Sequence, residues 1–109
     1  MEILQELQTH MKLLDASLKQ YRHTGTEYAQ TEHDYKVALS KKVLELRADG
    51  QAVTLIQLMA YGDKEVALKR LQRDIALATY EACKEAINVK KLQIKVLQSQ
   101  IEKEYYSND

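Results

Sequence analysis

The sequence predicts an all-α protein that folds as one long antiparallel αα-hairpin. It contains no proline in 109 residues, and apolar residues recur at three- and four-residue spacing over two stretches of about forty residues each. Gly50 and Gly62 separate the two stretches, so the chain turns between them. The prediction is a single domain with the following parts: 1–109 for the domain, 2–48 for arm one, 49–63 for the elbow and 64–105 for arm two.

Arm one carries its apolar residues on a single stripe of a helix. Tyr21, Tyr28 and Tyr35 are spaced by seven and share that face. Gly25 interrupts the pattern, because glycine in a helix costs about 1 kcal/mol relative to alanine. The helix either passes through Gly25 or breaks there, with Thr26 capping a new helix; the unbroken register favours passage. The stripe begins with Leu4, Leu7, Met11, Leu14 and Leu18.

The elbow contains the signals of two turns and one short helix. Gly50 is expected to close arm one in the left-handed conformation. Thr54 is expected to cap a short helix over 55–60, and Asp63 to cap arm two. The elbow is therefore predicted to be a small folded plug at the end of the hairpin.

Arm two is too broadly apolar for a two-stranded seam, so the sequence predicts self-association as a dimer or higher oligomer, most simply a dimeric four-helix arrangement. A second apolar strip that includes Leu71 and Ile75 runs beside the first. Two helices alone also bury little apolar surface. The residues expected to mediate self-association are Tyr80, Ile87, Ile94, Leu97 and Ile101.

Charge is balanced over the whole chain but concentrated near the elbow. Residues 35–47 and 64–73 each hold four basic residues and one acidic residue. Folding as a hairpin brings these stretches together, which predicts a positive surface that binds a partner. An acidic protein suits this surface, and a helix-turn-helix-like contact with nucleic acid is the alternative. The candidate partner-binding residues are Lys36, Lys41, Lys42, Arg47, Tyr61, Lys64, Lys69, Arg70 and Arg73.

The residue pattern argues against catalysis and cofactor binding. His10, His23 and His33 lack the i, i+4 spacing of a helical metal site, and Cys83 is the only cysteine. No apolar run approaches the roughly 18 residues of a membrane span. We therefore expect no enzyme activity, no cofactor, no metal, no membrane association and a cytoplasmic location; the resemblance described next implies that the cell is a bacterial host cell.

Several short segments together resemble a group of small helical proteins encoded by phages and prophages of Gram-positive bacteria. The resemblance covers nearly the whole chain and implies a phage origin near early genes for replication and recombination. It implies no activity and no functional residues. The segments that carry it are Thr24–Ala29, Asp34–Leu39, Leu46–Gly50, Val53–Ile56, Glu85–Asn88 and Gln100–Tyr105.

These observations lead to one functional prediction and two alternatives. The prediction is a non-enzymatic phage protein that binds a protein partner, either in early phage DNA metabolism or as an inhibitor of a host defence system. The alternatives are a nucleic-acid-binding module and a structural or virion-assembly coiled coil.

Overall fold

The computed structural model describes residues 2–107, and it confirms the all-α class. Three helices follow one another along the chain: α1 (Glu2–Ala48), α2 (Val53–Gly62) and α3 (Lys64–Ser107). No strand occurs within this described range. The helix α1 is unbroken across Gly25, so the break at Thr26 does not occur.

The chain forms two compact units. The elbow unit is Thr24–Tyr80, and the terminal unit combines Met1–His23 with Glu81–Asp109. Within the elbow unit, α1 and α3 are antiparallel, because Tyr28 stacks on Tyr80 while Lys42 pairs with Asp63. Within the terminal unit, residues of α1 and α3 line one shared groove. The helical hairpin predicted from the sequence is consistent with both arrangements.

The core of the elbow unit lies where α2 packs under the end of α1. Leu46, Ile56 and Ala60 form a buried cluster, with Leu39 and Val43 packed against it. Ile56 and Ala60 are four residues apart and therefore share one face of α2. This contact orients the short helix and leaves its other faces outward.

The end of α1 is closed as the sequence predicts. Gly50 has φ +76°, the left-handed conformation that a Cβ disfavours. Its N–H donates to the carbonyl of Arg47 at 3.1 Å, and the N–H of Gln51 donates to that of Leu46 at 3.1 Å. These two bonds satisfy carbonyls that the helix end would otherwise leave unpaired.

The start of α2 differs from the prediction. The expected Thr54 cap is wrong: α2 begins at Val53 and runs to Gly62, and Ala52 precedes it without a side-chain cap. Only a backbone bond, from the N–H of Leu55 to the carbonyl of Ala52 at 2.9 Å, closes this turn. Burial of the Ile56 and Ala60 face supplies the stability that the cap was expected to give.

The five residues predicted for self-association lie on the least exposed row of α3. Ile87 is buried within the terminal unit, and Tyr80 stacks on Tyr28 within the elbow unit. Ile94, Leu97 and Ile101 are half-buried. This row is used for packing inside the chain, whereas the neighbouring strip of α3, which includes Leu71 and Ile75, is exposed.

Candidate functional site at the elbow

The short helix α2 exposes most of its apolar side chains. Val53 is 85% exposed and Leu58 is 72% exposed, although α2 is the most apolar helix of the chain. Because large exposed apolar clusters mark interaction sites on monomeric proteins, this set is the first candidate for a functional surface. We call it the elbow surface, and it consists of Val53, Leu55, Leu58, Met59 and Tyr61.

Asp63 fixes α2 relative to α3. It ends α2 in an extended conformation (φ −61°, ψ 136°). Its carboxylate Oδ2 then accepts a hydrogen bond from the N–H of Val66 at 3.2 Å, which caps α3. The hydrogen bond from Val66 lowers the pKa of this carboxyl, and the Lys42 ammonium adds to the effect. One residue thus ends one helix and begins the next.

Lys42 holds this junction against α1. Its Nζ lies 3.4 Å from Asp63 Oδ1 and 3.7 Å from Glu45 Oε2. The contact with Asp63 is the main cause of the raised pKa of Lys42. Lys42 was predicted to bind a partner, but in the structure its charge is matched within the chain.

Arg70 and Tyr61 tie α2 to α3. The Arg70 guanidinium carbon lies 4.5 Å from the centre of the Tyr61 ring. Its Nη1 also donates a hydrogen bond to the Tyr61 carbonyl at 3.1 Å. The cation–π contact and the hydrogen bond together hold the last turn of α2 in place, while Tyr61 remains exposed.

Arg73 makes a second contact of this type inside the unit. Its guanidinium carbon lies 4.5 Å from the centre of the buried Tyr35 ring, and Nη2 lies 2.8 Å from Asp74 Oδ1. The pair with Asp74 raises the pKa of Arg73. A hydrogen bond with Tyr61 and burial raise the pKa of Tyr35. Tyr35, Tyr61, Arg70 and Arg73 therefore form one connected cluster.

Half of the predicted partner-binding cations are engaged within the chain. Lys36 pairs with Glu32 at 3.6 Å, and Lys42, Arg70 and Arg73 are engaged as described above. The side chains of the remaining four make no hydrogen bond or ion pair with any residue in the described part of the chain, and Lys69 among them is half-buried. These four are Lys41, Arg47, Lys64 and Lys69.

Three of these four cations line hollows of the elbow unit. Lys41 and Lys64 line an open hollow of about 250 Å³ between α1 and the start of α3. Arg47 lines another of about 520 Å³, together with Val53 of the elbow surface. Arg47 therefore lies beside an exposed apolar side chain of the elbow surface, whereas Glu45, Asp63 and Glu65 also line the hollow that holds Lys41 and Lys64.

The sequence interpretation missed two features. It predicted a small folded plug at the elbow, whereas Val53, Leu55, Leu58 and Met59 of that segment are exposed. It also treated Gly25 as an interruption of the helical pattern, but Thr24 beside it is only 2% exposed.

Comparisons with protein-family models, curated proteins and solved structures gave no match. Among residues 2–107, no group of three or more His, Cys, Asp or Glu is placed to hold a metal ion. No helix within the same range is long and apolar enough to cross a membrane. The geometry of the elbow is therefore the main guide to function.

Proposed function

We propose that this chain is a protein-interaction module that docks its elbow surface onto a partner protein. The observation that carries the proposal is the exposure of Val53 and Leu58 on a helix whose opposite face, with Ile56 and Ala60, is buried against α1. Protein interfaces commonly combine an apolar centre with a polar rim. In this proposal the elbow surface is the centre, Arg47 beside Val53 belongs to the rim, and Lys41 and Lys64, in the hollow that Asp63 also lines, extend the rim.

The charge of the rim defines the chemistry of the partner. The side chains of Lys41, Arg47 and Lys64 have no ion-pair partner among the described residues, so an acidic edge on the partner would speed association and select against basic proteins. The complementary site is an apolar groove bordered by Asp and Glu. In view of the resemblance to phage proteins, the proposed partner acts in phage DNA metabolism or in a host defence system.

The elbow suits nucleic acid less well. Residues 53–73 form the helix-turn-helix-like segment. Arg70 and Arg73, two of the four cations on its second helix, stack on the rings of Tyr61 and Tyr35 within the chain. Nucleic-acid binding depends chiefly on free cations that neutralise phosphates, whereas the centre of this surface is apolar. The nucleic-acid alternative predicts duplex or single-stranded DNA binding at low salt that weakens steeply as salt is added.

Affinity capture with matched variants tests the proposal. Wild-type protein and Met11→Asp should retain the same partner from a lysate of phage-infected host cells. Leu58→Asp should reduce that binding by at least about 10-fold, because a charge would replace a central apolar contact. Met11 is a fair control, since it is 53% exposed in the terminal unit. Equal capture by both variants, or loss of the partner after nuclease treatment, would contradict the proposal.

A further inference from the structure

A row of exposed apolar side chains follows α3 on the side away from its packed row. In the elbow unit this row contains Leu68, Leu71 and Ile75, and in the terminal unit it contains Val89, Leu92 and Val96. Exposed Ala78, Ala82 and Glu85 stand between them in the sequence. The steps alternate between three and four residues throughout, which is the heptad spacing of a coiled-coil seam.

The accessible area indicates that the chain has surface to bury. The isolated chain exposes 8279 Å², whereas a folded monomer of 12.6 kDa is expected to expose about 6,200 Å². The excess is about 2,000 Å², while a stable interface needs roughly 800 Å² from each partner. Burying the α3 row against another helix would account for part of this excess.

We propose that a second copy of this chain covers the row, with the two α3 helices antiparallel. The two helices are aligned so that Ile75 packs beside the partner's Leu92 and Ala78 packs beside the partner's Val89. Asp74 immediately precedes Ile75, and Lys95 immediately precedes Val96. Both residues therefore lie at the edge of the seam, where Asp74 approaches the partner's Lys95. The symmetry repeats each contact, as a two-fold dimer requires.

Glu85 determines the direction of the partner helix. It is the one charged residue of the row between Leu68 and Val96. In a parallel, in-register pair, two Glu85 carboxylates would face each other within the seam, and like charges there destabilise. The antiparallel register places Glu85 opposite the partner's small Ala82, which leaves room for the carboxylate to reach solvent.

The dimer seam is independent of the elbow surface. The elbow surface consists of apolar residues and Tyr61, with Arg47 beside Val53, so it offers no pair of opposite charges to a second elbow. The acidic residues Asp74 and Glu81 flank the N-terminal half of the α3 row, and the basic residue Lys95 flanks its C-terminal end. In an antiparallel pair, the acidic half of one row lies beside the basic end of the other. The dimer can therefore fail while the proposed partner binding holds, and the reverse is also true.

Sedimentation equilibrium with two matched variants tests the dimer. Wild type should sediment at about 25 kDa, twice the chain mass. Leu92→Asp should weaken the dimer at least 100-fold, whereas Leu44→Asp should leave it intact. The two leucines are 62% and 63% exposed, and circular dichroism would verify that both variants remain helical. A wild-type mass of one chain, or equal dissociation of both variants, would overturn the proposal.

Disulfide trapping tests the direction and register in a Cys83→Ser background. A chain with both Ala78→Cys and Val89→Cys should form a cross-linked dimer on mild oxidation. Ala78→Cys alone should not, because the two introduced thiols would lie about 16 Å apart along the seam. Efficient cross-linking by Ala78→Cys alone would show parallel packing and overturn the antiparallel register.

Discussion

A Cβ atom placed on Gly25 would lie 3.0 Å from Cε1 of Tyr80. The Tyr80 ring is itself stacked on Tyr28, with ring centroids 6.0 Å apart and planes inclined by 16°. Gly25 therefore accommodates an aromatic side chain in the elbow unit. This contact explains why a glycine lies inside the continuous helix α1.

Gly25→Ala should lower the free energy of unfolding by about 1 kcal/mol, because the overpacking cost exceeds the gain in helix propensity. In a Tyr80→Ala background the same change should instead raise it by about 1 kcal/mol. Urea denaturation of the four proteins gives the coupling between the two sites. An equal gain in both backgrounds would show that the contact does not constrain Gly25.

Gly50 and Gly62 should respond oppositely to alanine. Gly50→Ala should cost about 1 kcal/mol, since it places a Cβ in the left-handed conformation at φ +76°. Gly62→Ala should gain several tenths to about 1 kcal/mol, because Gly62 is helical and a Cβ there has open space. Thermal melting of the two single variants measures both effects, and a stabilising Gly50→Ala would refute the assigned helix end.

Arg73 should contribute to stability, whereas Lys64 should not. Arg73→Gln removes the cation from the Tyr35 ring and from Asp74, and should cost about 1 kcal/mol. Lys64→Gln changes a side chain that has no partner among the described residues and should alter stability by less than about 0.5 kcal/mol. Guanidinium denaturation compares them; equal effects would mean that the Arg73–Tyr35 contact adds nothing.

The cap at Asp63 should make stability depend on pH in the acid range. Its pKa in the folded chain is below the usual 3.8, so the unfolded chain binds the proton more readily. The stability from this carboxylate is complete above the unfolded pKa and is lost as pH falls through the folded pKa. Wild type should therefore lose more stability on acidification than Asp63→Asn, as measured by melting temperature. Parallel pH profiles would contradict this assignment.

The sequence predicts the helices well because their signals are local. Gly50 and Asp63 mark helix ends through their own backbone or side-chain preferences, and both act as predicted. Thr54 has the same capping chemistry, but tertiary burial of Ile56 and Ala60 determines where α2 begins. Local propensity does not contain that information.

The candidate functional surface was harder to predict from the sequence than the helices were, because the exposure of a side chain depends on tertiary packing. Leu58 and Ile56 look alike in the sequence, yet one is exposed and the other is buried. Lys41 and Lys42 are likewise equivalent as residues, but only Lys42 lies within reach of Asp63. The sequence located the elbow, and the fold determines which of its side chains a partner can contact.

Site-specific photo-crosslinking tests the central claim, that the elbow surface docks a partner protein. A photoreactive phenylalanine analogue would replace Leu58 in one variant and Met11 in another, and both would be irradiated in phage-infected cells. The account predicts a defined adduct from position 58 that protease destroys and nuclease does not, with none from position 11. A nuclease-sensitive adduct at position 58, or a protein adduct only at position 11, would contradict the account.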